Sequence, residues 1–568
     1  MYKTIKILSM AGVIAAIIFS ISCKKAINNK GNSNMPDTAN STIKDRLYDT
    51  MYMYALQTYY WNSQLPTYAS FLPRQYETSD TLAGLEAEQL AITRIPKDGS
   101  GNLYEQRIKY DQYGNSQPDN SAPKFSYILP TKETVNGGAA AFVNISNQFT
   151  KNLKMTLDGK DSSFGFVVGI LPADYSEDST QIVKSGVATR LKSYITVVRW
   201  VTKGSPADAL GLKRGDIISR INGDSLNFDK DDAGSVAKIN SSLSAQNSTF
   251  TVYYPKKDSS ADLHLVQKLY TFNPILKSTV LSYGGKKIAY LAFQSFSIDS
   301  SAKKVIDSAF QSYANQGITD LVVDLRYNGG GYINTAEDLV NHIAPSTSSG
   351  QVMYTSYYNQ TMINKQASLL KKVPLDYNNP SEGTWADLDL TPSPNNPNTT
   401  SKIVKAGSVS SLTKVYFIVS SGTASASELV INSLKPYVTE TLIGAAFSDN
   451  GKKTYGKPVG FFEIRFGQYS MWMPNFETKN KDLNGGYYQG FTTDYQDFDD
   501  IAHDFGDPKE ECLARAIYLI SGVNTYTTSY ARTFNSINVQ RAIMQTRAIG
   551  NPTKISDMVI KPKRNFGN

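Results

Sequence analysis

Apolar positions along the chain change period several times, and each change marks a different kind of element. Between residues 42 and 95, Leu47, Met51, Ala55 and Tyr59 keep near-helical spacing, and a second helix carrying Glu86, Glu88 and Gln89 closes before Pro96. Turn dipeptides (Asp98-Gly99, Gly101-Asn102, Gly114-Asn115) and prolines then dominate to Pro123 and predict a loop or hairpin. From residue 160 the runs are short and β-branched. Phe164-Gly-Phe-Val-Val-Gly169 and Ile195-Thr-Val-Val-Arg-Trp-Val201 predict strands, Ser205-Pro206 opens a short helix, and Gly215-Asp216 leads into another strand. Lys287–Phe293 reads as a strand. Ser301–Gln316 is an amphipathic helix with Val305, Ile306, Phe310 and Tyr313 on one side, and Thr319–Arg326 is a buried strand ending in Tyr327-Asn-Gly-Gly-Gly331. Strand, helix and strand at this spacing predict a parallel unit with its functional loop at the strand's C-terminal end.

A second such passage follows. Val415-Tyr-Phe-Ile-Val419 predicts a buried strand, and Leu429, Ile431 and Leu434 give a helical stripe that stops at Pro436. Between them lie only small residues, Ser420-Ser-Gly-Thr-Ala-Ser-Ala-Ser-Glu428. Such a turn can hold a serine at a helix N-terminus with backbone N–H groups free to bind an anion. Ser425-x-x-Glu428 also fits a capping box, which would make the serine structural. Glu440–Gly444 and Phe461–Phe466 predict further strands, and Asp507–Ser521 a helix. The Ser-, Thr-, Asn- and Pro-rich stretch 346–412 reads as an insertion or lid, and 522–568 as a polar surface extension.

Composition narrows the chemistry. The 568 residues allow several domains, and the net charge of +8 (+6 without residues 1–22, which hold Lys3 and Lys6) forms no cluster suited to nucleic acid. Two cysteines, Cys23 and Cys512, rule out a disulfide framework and a thiolate zinc site; Cys512 reads as a core helix residue. His264, His342 and His503 form no metalloprotease motif, and no metal or cofactor is expected. The glycine loop lacks the Gly-Lys-Ser/Thr of a nucleotide P-loop.

At the N-terminus, Lys3 and Lys6 precede the apolar run Ile7–Ile21 and then Ser20-Ile-Ser-Cys23. This layout resembles a bacterial lipoprotein signal. It implies a signal peptide over 1–22, lipidation at Cys23, a flexible tether over 23–41, and an exported protein held on a membrane by its lipid alone, periplasmic or surface-facing.

Residues 159–272 resemble a PDZ domain through Gly204-Ser-Pro-Ala-Asp-Ala-Leu-Gly-Leu212 and Gly215-Asp-Ile-Ile-Ser-Arg-Ile-Asn-Gly223. The resemblance implies that a protein C-terminus pairs with the strand formed by Phe164, Gly165, Phe166, Val167 and Val168. With Lys124-Phe-Ser-Tyr-Ile128, Phe293-Gln-Ser-Phe296, Asp324-Leu-Arg-Tyr-Asn-Gly-Gly330 and Thr423-Ala-Ser-Ala-Ser-Glu428, the chain resembles the C-terminal processing (tail-specific) serine peptidases. That family implies a mixed α/β and β multidomain fold. Its parts would be a helical N-terminal region (42–158), the PDZ-like module, a crotonase-like ββα peptidase core (273–522) and a C-terminal extension (523–568).

The family's base is a lysine, which can act only if burial lowers its pKa. Lys452, Lys453 and Lys457 are candidates, and the family's Gly-Lys falls on Lys457. Its separation from Ser425, 32 positions, implies a small bulge at 445–455. Ser425 would be the nucleophile, and the amides of Gly329 or Gly330 and of Ala426 the oxyanion hole. Asp324 and Arg326 read as a structural pair. The expected function is therefore an endopeptidase that cleaves exported or unfolded proteins near their C-termini. The rival readings are a catalytically silent PDZ-type peptide-binding lipoprotein and, from tyrosine and asparagine content alone, a carbohydrate-associated surface protein.

Overall fold

The computed structural model describes residues 36, 41–110, 116–131, 159–172, 194–226, 233–297, 299–409, 412–446, 452–525, 548–549 and 558–560. The signal segment, Cys23, the tether apart from residues 36 and 41, and residues 447–451 of the expected bulge lie outside these.

Near-helical spacing in the first hundred residues becomes the helices Ile43–Thr58 and Thr81–Thr93, the first opened by a capping box between Thr42 and Asp45. Their apolar faces, with Tyr48, Met51, Tyr52, Leu85 and Ile92 fully buried, join the core of the following α/β unit instead of forming one of their own.

That α/β unit is built on a six-stranded sheet. Its order is Ile275–Tyr283, Lys286–Phe293, Asp320–Asp324, Lys414–Val419, Thr439–Ala446 and Tyr495–Phe498. The first pair is antiparallel and the rest are parallel. Near-continuous burial of Val322, Val323, Val415, Phe417 and Ile418 explains why these strands read as unbroken apolar runs. The helices Asp299–Gln316, Ile333–Ile343 and Ala426–Leu434 cover one face, and Glu511–Ser521 covers the other.

Of the two readings of residues 346–412, insertion or lid, the strands within them fit an insertion. The strands Val352–Tyr358 and Thr400–Lys402 join Phe476–Asn480 and Val459–Gly460 in a four-stranded sheet, and Trp385 stacks on Phe462 at 3.9 Å. The predicted strand Phe461–Phe466 is also split. Val459–Gly460 pairs with Phe476–Asn480 and Ile464–Phe466 with Tyr469–Trp472, while Phe461 and Phe462, both buried, leave the ladder between them. The last core helix begins at Glu511, four residues later than its sequence pattern, because the Glu510 carboxylate caps the Leu513 N–H.

The second module is built on β-structure, as its short runs predict. Phe166–Pro172, Tyr194–Val201, Ile217–Ile221, Asn247–Tyr254 and Ser259–Val266 form one antiparallel sheet, with the helix Ala233–Ser244 and a short helix capped by Ser205. Its apolar centre is Phe164, Phe166, Val198, Ile218, Phe250 and Val252.

The module is bolted to the α/β unit by buried charge. Arg326, 1% exposed, holds Asp324 with two nitrogens and also reaches Asp499 (2.9 Å) and Glu510 (2.6 Å). Arg214 of the module reaches Asp499 at 2.6 Å and the Tyr327 hydroxyl at 2.8 Å, while Trp200 stacks on Tyr327 at 4.6 Å. Asp324 and Arg326 thus belong to a structural ion cluster directly before the glycine loop. Replacing Arg326 by methionine leaves three carboxylates buried without this cation, so Arg326→Met is expected to lower stability in chemical denaturation by roughly 3–5 kcal/mol.

Candidate active site

The glycine loop and the serine turn lie at the C-terminal ends of two adjacent parallel strands, Asp320–Asp324 and Lys414–Val419, whose register aligns Asp324 with Ile418. Loops at that edge of a parallel sheet converge on one another. Here they are stitched by backbone. The Asn328 carbonyl accepts from the Ala424 N–H (3.2 Å) and the Ser427 hydroxyl (2.9 Å), and the Leu325 carbonyl accepts from the Thr423 hydroxyl (2.8 Å). Asn328 is itself fully buried, its side chain donating to the Phe293 carbonyl (3.0 Å).

Ser425 stands on the sharp strand-to-helix turn. Its backbone, φ 61° and ψ −114°, lies outside the regions ordinarily open to a side chain, a geometry that costs about 1–3 kcal/mol. The hydroxyl is fully buried and makes no hydrogen bond among the described residues. The Glu428 side chain accepts from the Ser425 N–H (3.0 Å), which closes one half of the capping box; in the other half the serine oxygen faces the Glu428 N–H without a hydrogen bond of normal geometry. A buried hydroxyl left over in a strained turn is a group held for another partner.

Glu428 gathers the rest. Its Oε2 accepts from the Ser425 N–H and from the Lys457 N–H (2.8 Å), and its Oε1 accepts from the Gly456 N–H (2.7 Å) and the Thr454 hydroxyl (2.5 Å). One oxygen thus bridges the backbones of Ser425 and Lys457, so their nitrogens are no farther apart than two hydrogen bonds laid end to end. Burial raises the pKa of this carboxyl, and the hydrogen bonds from Thr454, Lys457, Gly456 and Ser425 oppose that rise. Lys457 is 1% exposed, its ammonium over the Phe461 ring at 4.1 Å, whereas Lys452 is exposed. A second lysine, Lys124, donates to the Tyr488 carbonyl (2.7 Å) within the field of Glu428; desolvation lowers its pKa to about 8.

The expected oxyanion amides divide. The Gly330 N–H donates to Asn328 Oδ1 at 2.9 Å and is spent on shaping the loop. Among the described residues, the Gly329 N–H and the Ala426 N–H, the latter in the first turn of its helix, meet no acceptor. Of the residues expected to bind peptide, Phe164 and Phe166 are core, Gly165 adopts φ 82° against Ser205, and Val167 packs with Trp200 and Tyr327. Val168 presents its backbone at the sheet edge, where Ile549 pairs with it. The histidines are engaged elsewhere: His264 with Thr249, His342 with Asp307 under Phe310, and His503 with Asp500.

Two family models match parts of this chain. Residues 287–470 match the model of Peptidase family S41, and residues 197–241 match that of a PDZ domain. Among solved structures, a candidate S41 protease of Bacteroides fragilis NCTC 9343 superimposes with a TM-score of 0.54 at 18% identity, covering 86% of this chain and 99% of that one. A photosystem II D1 C-terminal processing protease gives 0.40 at 16% identity over 83% and 97% of the two chains. No curated protein matches the sequence.

Glu428 was legible only as a capping residue, because its partners at 454–457 are distant in sequence; Lys124 gave no signal of burial at all. Glu428→Gln turns an amide group toward at least one backbone N–H that now has a partner, and a loss of roughly 1–3 kcal/mol is expected in urea denaturation. For Lys124 the sign follows from proton counts. The unfolded chain, with lysine near 10.5, binds this proton more tightly than the folded chain does at about 8. Stability contributed at this position therefore rises with pH from about 8 to 10.5, and the wild-type advantage over Lys124→Met in urea titrations should rise with it.

Proposed function

We propose that this chain, built around an S41 peptidase core and a PDZ domain, is a serine endopeptidase that cuts exported or unfolded proteins near their C-termini through Ser425 and Lys457. The observation that carries this reading is the single Glu428 oxygen joining the backbones of the two residues, with the serine hydroxyl buried and unpartnered beside them.

In this reading Lys457, 1% exposed and with its Nζ over the Phe461 ring, takes the Ser425 proton. The serine oxygen attacks the peptide carbonyl and forms an acyl-enzyme, which water then hydrolyses. Charge on the tetrahedral oxygen is met by the Gly329 and Ala426 amides, each worth about 3 kcal/mol in such sites. Gly330, though expected among them, fixes the loop through Asn328. Substrate C-termini pair with the edge of the Phe166–Pro172 strand. A leader peptide ending before Cys23, with lipid attachment there, would put the enzyme on the outer side of a bacterial membrane, periplasmic or surface-facing.

The test is cleavage of an unfolded protein by wild type, Ser425→Ala and Lys457→Met. Each substitution is expected to reduce kcat by roughly 10³-fold or more. Equal cutting by wild type and Ser425→Ala would overturn the assignment. Peptide binding without cleavage by any form would favour a silent peptide-binding protein.

A further inference from the structure

Residues 522–568 read as a surface extension, yet two pieces of this segment are docked. Ala548–Ile549 pairs antiparallel with Gly169 and Val168, extending the PDZ sheet at the edge facing the Ala233–Ser244 helix. Nine residues on, Met558–Val559 pairs in parallel with Gly331–Tyr332, at the end of the glycine loop. The other flank of this short strand is held too: the Phe461 N–H donates to the Met558 carbonyl (3.0 Å), and the Ile560 N–H to the Phe461 carbonyl (3.4 Å).

Met558 is fully buried. The tail strand therefore lies between the loop that carries Gly329 and the one that carries Lys457, and backbone pairing on both sides is how an extended peptide would be held there. The sealed state of the site fits this: the Ser425 hydroxyl has no solvent access, and Lys457 is 1% exposed.

We infer that two described pieces of the chain's own C-terminal segment, Ala548–Ile549 and residues 558–560, occupy in cis both places that a substrate polypeptide would use, the PDZ edge and the catalytic cleft, and so hold the enzyme blocked. The inference rests on the peptidase reading. Chain direction separates blocking from self-cleavage. A substrate held by its C-terminus at the PDZ edge would enter the cleft with residues that precede that end, whereas here the cleft residues follow the PDZ-paired ones. The tail lies in the site with the wrong continuity for processing. Activation then consists of displacing it, and the binding-competent fraction sets the apparent affinity for substrate.

Two full-length variants test this. Met558→Asp places a charge in the buried seat of the tail, and Ile560→Pro removes the N–H that bonds Phe461. Each is expected to raise kcat/KM on an unfolded protein by roughly tenfold or more, the factor that loss of one buried methionine contact corresponds to. A second readout is independent of catalysis. A fluorescein-labelled peptide of residues 545–562 is titrated against Ser425→Ala alone and against Ser425→Ala with Met558→Asp. Binding tighter by a similar factor in the double variant supports cis occupancy. If Met558→Asp leaves peptide affinity unchanged, the inference is overturned, whatever the rate. If affinity tightens but no form cleaves, the tail does occupy the site and it is the peptidase reading that falls.

Discussion

One buried carboxylate holds this site together. Glu428 receives four hydrogen bonds from two stretches of chain, and through them the strained serine turn and the lysine loop become a single rigid object. A serine at φ 61° is unfavourable by itself, and a lysine inside a protein is more so. Neither persists unless its surroundings over-determine it. Glu428 supplies that restraint, at the cost of burying its own charge, which its four donors offset only in part.

Asn328 performs the matching service for the glycine loop. Its carbonyl ties that loop to both sides of Ser425, and its side chain consumes the Gly330 amide. The division between Gly330, which shapes, and Gly329, whose amide meets no acceptor among the described residues, follows from this one side chain. Behind the loop, Arg326 and Arg214 neutralise Asp324, Asp499 and Glu510, so that Tyr327 is gripped by both the PDZ module and the peptidase core. The loop therefore has a stiff foundation shared by two domains.

The C-terminal strand gives the cleft its present form. Gly331 can pair with Met558 because it has no side chain: a Cβ there would lie 2.1 Å from the Phe296 carbonyl on its other flank. The same requirement for bare backbone makes the loop a docking edge for any extended peptide, including one from the chain itself.

What the sequence determined by itself was local or periodic. The helical stripes near the N-terminus, the Ser-Pro and Gly-Asp signals of the PDZ domain, the strand–helix–strand around the glycine loop and the small-residue turn at Ser425 are each written within about twenty neighbouring residues, and each formed. What only the tertiary structure decided depends on partners far apart along the chain. Glu428 read as a cap because residues 454–457 could not be known to fold against it. Whether residues 346–412 were an insertion or a lid stayed open because their pairing partner, Phe476–Asn480, comes much later. Phe461–Phe466 read as one strand, yet burial of two successive phenylalanines breaks the alternation that a ladder needs. Residues 558–560 read as polar surface because two strand-like residues carry no period, and their burial is set by the groove that receives them.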